Sequence, residues 1–157
     1  MKFKKINKGY TLTEILVVMG ISIIILSVVV SYFYSLVKIQ ALDKDYTSVV
    51  SLVDQAKSLS INSKSASQYG VYFASSTAVL FKGSNYISTS TANQIYTLNN
   101  RVSISNIDLE GSSTSQVLFS RLTGYANASG TVSVSLKDGS GSPKVIRIYR
   151  TGTIELN

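Results

Sequence analysis

The chain has no histidine and no cysteine. The commonest general base, the commonest metal ligand and every thiol are therefore missing. A Ser-His-Asp site, a His-ligated zinc site and a disulfide framework are excluded. Eight carboxylates remain for proton chemistry. Asp108 and Glu110 are two apart, and Asp138 and Glu155 read as loop or strand-end residues. Paired carboxylates serve glycoside hydrolysis or calcium binding, but Asp108-x-Glu110 lacks the oxygen-rich run of a calcium loop. Solvated loop charges are the better reading, so neither an enzyme nor a cofactor is expected. Arg121, Arg147 and Arg150, with Tyr125 and Tyr149, are the residue types of a nucleic-acid patch. Three arginines spread this widely read more readily as ordinary strand-face charges.

Glu14 has the most unusual setting of the eight. It stands at the lip of a run, Ile15 to Val37, in which 23 consecutive residues carry no charge. Roughly 20 apolar residues cross a bilayer core of about 30 Å, so the run fits a membrane-spanning helix. A carboxylate at its edge is costly without compensation and marks a candidate functional site. Thr11-x-x-Glu14 also fits a capping box, in which Glu14 bonds the Thr11 backbone N–H. The two roles are compatible. Within the run, Gly20 offers a packing or bending point. Ser27, Ser31 and Ser35, four apart on one face, are small enough for close helix approach.

The element that carries these residues continues past the apolar run, with no proline or glycine to stop it. Ile39, Leu42, Tyr46, Val49, Val53 and Ala56 recur at spacings of three and four, the stripe of an amphipathic helix. Val50, Leu52 and Leu59 widen the stripe, and Lys38, Asp43, Lys44, Asp45, Asp54 and Lys57 fall mostly off it. One helix is expected from about Thr11 to about Ser63, roughly 80 Å at 1.5 Å per residue. After Gln68 the period changes to two. Strands are expected over 69–74, 78–82, 95–98, 101–107, 116–120, 131–136, 144–150 and 153–156. Thr151-Gly152 reads as the turn of a hairpin, and Asp138-Gly-Ser-Gly-Ser-Pro143 as a turn-rich loop.

Lys2, Lys4, Lys5 and Lys8 precede the apolar run, so the N-terminus is expected to stay in the cytoplasm. An ordinary secretory signal has a shorter apolar region followed by a small-residue cleavage site. None follows here, so the run is expected to be retained. The formal net charge is +7. Without the four leading lysines it falls to +3, 11 basic against 8 acidic residues, too small a surplus to argue for nucleic acid.

The segment Lys8-Gly9-Tyr10-Thr-Leu-Thr-Glu14-Ile-Leu-Val-Val18 resembles the class III signal of type IV pilins and type II secretion pseudopilins. Four features coincide in order: a basic leader, a junction Gly, Glu four residues after Tyr10, and an uncharged span. Tyr10 departs from the Phe or Met usual after the Gly. The resemblance implies that prepilin peptidase cuts between Gly9 and Tyr10 and methylates the Tyr10 nitrogen. It implies that Glu14 pairs with the amino group of Tyr10, in its own chain or a neighbour's, as helices bundle into a filament core. Other pilin subunits, an inner-membrane platform and a cytoplasmic ATPase are the implied partners. Main-filament pilins often carry a proline where this chain reads Val30-Ser31-Tyr32, which leans towards a minor pilin or pseudopilin. Residues 115–157 loosely resemble the H-type pseudopilins and T-type minor pilins.

The expected architecture is α+β and pilin-like. A leader (1–9) precedes a transmembrane and filament-core helix (10–37) and its amphipathic continuation (38–66). An antiparallel β-sandwich-like domain (67–157) follows, periplasmic or extracellular. The competing readings are a non-polymerising, membrane-anchored binding or adhesion domain, and a DNA-uptake pseudopilin.

Overall fold

The computed structural model describes residues 9–110 and 115–156. The leader lysines and most of Ser112-Ser-Thr-Ser115, a polar connector between two expected strands, lie outside them. One helix, α1 (Leu12–Ile61), is followed by a single turn of 3-10 helix (Lys64–Ala66) and eight strands. These are β1 (Tyr69–Phe73), β2 (Thr77–Lys82), β3 (Gln94–Thr97), β4 (Val102–Glu110), β5 (Gln116–Phe119), β6 (Ser129–Leu136), β7 (Lys144–Ile148) and β8 (Ile154–Leu156). The strands form two antiparallel sheets, ordered β3-β2-β1-β5 and β4-β6-β7-β8. The fold is therefore α+β, a long N-terminal helix whose second half packs on two antiparallel sheets. The internal contacts of the chain divide it into two units, one ending at Val37 and the other starting at Lys38.

In the first unit the helix opens at a cap. Thr11 Oγ1 accepts the Glu14 backbone N–H at 3.2 Å, and the Thr11 carbonyl accepts the Ile15 N–H. This satisfies donors that the first turn would otherwise leave unpaired. The reciprocal bond of a capping box, the Thr11 N–H donating to the Glu14 carboxylate, does not form among the described residues.

In the second unit the amphipathic stripe is buried as its spacing implies. Leu42, Tyr46, Val49, Val53 and Ala56 join one core with Val71, Phe73, Val117 and Phe119 of the first sheet and Val132, Val134, Ile146 and Ile148 of the second. Burying each large apolar side chain contributes about 1.5–3 kcal/mol. Ile39, assigned to the stripe from its spacing, is exposed, because the core closes only from Leu42 onward. Asp45 is corrected in the opposite direction. It is 3% exposed, since Tyr96 O–H donates to Oδ1 at 2.8 Å and the Asn99 N–H donates to Oδ2 at 2.6 Å. A buried carboxylate is tolerated only with such partners. Ser60 does similar work at the far end of α1, its Oγ accepting the Tyr69 N–H at 2.8 Å.

All eight expected strands are present. β4 runs further than expected, to Glu110, which moves Asp108 and Glu110 from a loop onto a strand. β7 and β8 form the expected hairpin, with Gly152 at φ 76°. The first sheet is covered on its outer face as well. Tyr86 stacks on Tyr72 with ring centroids 4.3 Å apart and meets Phe81 edge-on. Its N–H donates to Gln116 Oε1, so the segment between β2 and β3 forms a second, smaller core. Gly70 sits beneath it, where a Cβ would lie 2.5 Å from the Val117 carbonyl oxygen and 2.6 Å from the Phe81 ring.

Replacing Asp45 with Ala strands two donors of this unit. We expect a loss of about 2–3 kcal/mol in denaturant unfolding of the micelle-solubilised protein, and a smaller loss for the near-isosteric Asp45→Asn.

Candidate functional site

The residues singled out at the N-terminus are Gly9, Tyr10, Glu14, Gly20, Ser27 and Ser31. All are exposed. The described residues give the Glu14 carboxylate neither an ion pair nor a hydrogen bond. A Cβ built on Gly9 or Gly20 meets nothing within 4 Å, so neither glycine is demanded by packing inside its own chain. Ser27 Oγ donates to the Ile24 carbonyl at 2.7 Å, and Ser31 Oγ donates to the Ser27 carbonyl at 2.9 Å. Ser22 bonds Val18 in the same way. These hydroxyls are satisfied within the helix backbone, so the serines can sit in an apolar environment without an unpaired donor.

Around them the apolar side chains are bare. Ile15, Leu16, Val17, Val18, Ile21, Ile23, Ile24, Ile25 and Leu26 are all exposed. Contiguous apolar surface of this extent is rare on a soluble monomer and marks a membrane or partner surface. By length and composition this is one helix able to cross a membrane.

The second unit carries the other candidate residues, and the structure separates some of them. Arg121 is committed to the 3-10 turn after α1, where its side chain donates to Ser63 Oγ and to the Ala66 carbonyl. Arg147 is in register with Thr131 on one side and Glu155 on the other. Arg150 follows β7, and its carbonyl accepts the Ala126 N–H. Asp108 is in register with Thr131, and Glu110 with Ser129. The described residues contain no group of three or more His, Cys, Asp or Glu able to hold a metal ion.

Two ionic ties close this unit around the start of its helical segment. Lys144 Nζ is 2.8 Å from Asp43 Oδ1, and Lys38 Nζ is 2.6 Å from Asp138 Oδ2. Asp138 Oδ1 also accepts from the Ser140 hydroxyl and N–H. Lys38 first, and Ser140 next, hold the Asp138 carboxyl well below the usual carboxylate range. Tyr96 is raised above its ordinary value mainly by burial, the Ser48 hydroxyl lowering it and Asp45 raising it further. Sequence reasoning missed Asp45 and Tyr96 as a pair. Their separation of 51 residues left no local signal.

Compared with protein-family models, with curated proteins and with solved structures, the chain matches none. The molecule therefore stands on its own geometry: a bare apolar helical segment with an acid at its capped start, and an α+β domain held by one main core.

Two outcomes follow. Ile24→Lys should weaken membrane retention by about 3 kcal/mol, seen as release of the protein from membranes by alkaline extraction. The Lys38–Asp138 tie depresses the Asp138 carboxyl value, so its contribution to stability is full above the ordinary value of 3.8 and declines as the pH falls from there towards the lower folded value. Asp138→Asn should therefore lower the thermal midpoint at pH 7, with the difference from the parent shrinking in acid below the ordinary value.

Proposed function

We propose that this chain is a filament subunit, a minor pilin or pseudopilin of a type IV pilus or type II secretion-like machine. The observation that carries the reading is Glu14. It is an acid without a partner among the described residues, set four residues after Tyr10 at the capped start of the exposed apolar part of α1. In hydrocarbon such a carboxylate is heavily penalised unless a positive group meets it. A newly released amino group at Tyr10, on the same or a neighbouring subunit, has the required charge.

In this reading prepilin peptidase removes residues 1–9 on the cytoplasmic side and methylates the Tyr10 nitrogen. The subunit waits in the cytoplasmic membrane with its C-terminal domain outside. An inner-membrane platform and a cytoplasmic ATPase then extract it into a helical bundle. Gly20, Ser27 and Ser31 allow the bundled helices to approach closely. The serine hydroxyls are already paired to their own backbone, so a neighbouring helix need supply no acceptor.

The deciding experiment is mass spectrometry of the N-terminal peptide of protein purified from its own cells. A chain beginning at N-methylated Tyr10 is expected, and Gly9→Leu should abolish it. A chain beginning at Met1 or Lys2 refutes the reading in favour of a non-polymerising anchor. Glu14→Ala should leave the protein in the membrane but reduce its incorporation into sheared filaments several-fold; normal incorporation counts against the pairing role.

A further inference from the structure

The outer face of the second sheet carries a polar trough to which the filament reading gives no role. β6 lies between β4 and β7. It turns Val132, Val134 and Leu136 into the core. The period of two leaves Ser129, Thr131, Ser133 and Ser135 on the opposite face, all half-buried. These short hydroxyl side chains form a floor. Longer side chains stand on both sides of it. Asp108 and Glu110 of β4 flank Thr131 and Ser129 on one side, and Arg147 of β7 and the adjoining Tyr149 flank them on the other. The open recess between them is about 290 Å³, lined by Ser129, Thr131 and the four flanking side chains, with Gly130 and Ile148.

Two features keep the trough in shape. Gly130 has φ 155°, and a Cβ there would lie 1.9 Å from the Asp108 carbonyl oxygen, so only glycine lets β4 and β6 approach at this point. The Tyr149 hydroxyl donates to Glu155 Oε2 at 2.5 Å, which anchors the ring at the rim of the recess.

We propose that this trough binds one neutral sugar unit of a glycan lying along β6. The walls are chemically opposed. Two carboxylates accept hydrogen bonds on one side, and a guanidinium donates them on the other. A ligand must therefore present donors to one wall, acceptors to the other and an apolar face to Tyr149. A pyranose ring has all three, since each hydroxyl both donates and accepts while its C–H face stacks on an aromatic ring. A free anion meets two carboxylates, and a cationic peptide meets Arg147. The volume lies at the small end of ligand sites, which suits a single sugar residue. The inference holds whether or not the subunit polymerises.

The test uses the intact protein in an amine-oxide detergent, which carries no sugar headgroup. The probes are maltotriose, cellotriose and chitotriose, with trilysine as the cationic competitor. Saturation-transfer NMR and titration calorimetry should show binding of at least one trisaccharide. Asp108→Asn and Arg147→Ala should each weaken it about tenfold with the thermal midpoint unchanged. Should either variant fail to fold, Tyr149→Ala takes its place with the same expected loss. The proposal is overturned if no trisaccharide binds, if binding survives these substitutions unchanged, or if trilysine binds instead and tightens in Arg147→Ala.

Discussion

The stripe Leu42, Tyr46, Val49, Val53 and Ala56 sits in a single core with side chains of both sheets, and the globular unit depends on that burial. Neither sheet has a second apolar layer of comparable size. The outer face of the second sheet is mostly polar, and among the described residues that of the first is covered by the small Tyr72, Phe81 and Tyr86 cluster. Without the helix, both inner faces would meet water. A chain without cysteine has no covalent substitute for this packing. The buried bonds near the two ends of the packed part of α1, from Tyr96 and Asn99 to Asp45 and from Tyr69 to Ser60, fix the register of that contact rather than drive it. Apolar burial is non-directional, whereas hydrogen bonds select one arrangement.

The first half of α1 obeys the opposite rule. Its apolar residues surround the helix instead of forming a stripe, and none of the most apolar window is buried. A helix hydrophobic on all sides must be covered by lipid or by other helices. The change from all-round apolarity to a stripe comes near Lys38, the first charge after Glu14. One helix therefore carries two kinds of surface. The filament reading proposed above uses both parts, the first as stored apolar surface and the second as the spine of the domain.

Charge follows the same division. No charged residue separates Glu14 from Lys38, while the second unit spends its first charges on ties to distant loops, Lys38 to Asp138 and Asp43 to Lys144. These exposed pairs contribute modestly. Their effect is to tether the turn-rich loop after β6 and the start of β7 to the helical segment.

Most of the fold was legible in the sequence because it is written in local periods. The 3.6-residue stripe, the alternation of Val132-Ser-Val-Ser-Leu136 and the turn at Thr151-Gly152 each fix backbone geometry within a few residues, and α1 and all eight strands follow from them. The uncharged run and Glu14 are likewise properties of consecutive residues. Tertiary structure alone decided what lies across the fold. Spacing placed Ile39 on the buried stripe and Asp45 off it. The structure reverses both, because burial depends on where the sheets end and on partners 51 and 54 residues away. Asp108 and Glu110 became strand residues facing Arg147 for the same reason. Which side chains share a face across β4, β6 and β7 is set by register, and register is a relation between segments that no single segment contains.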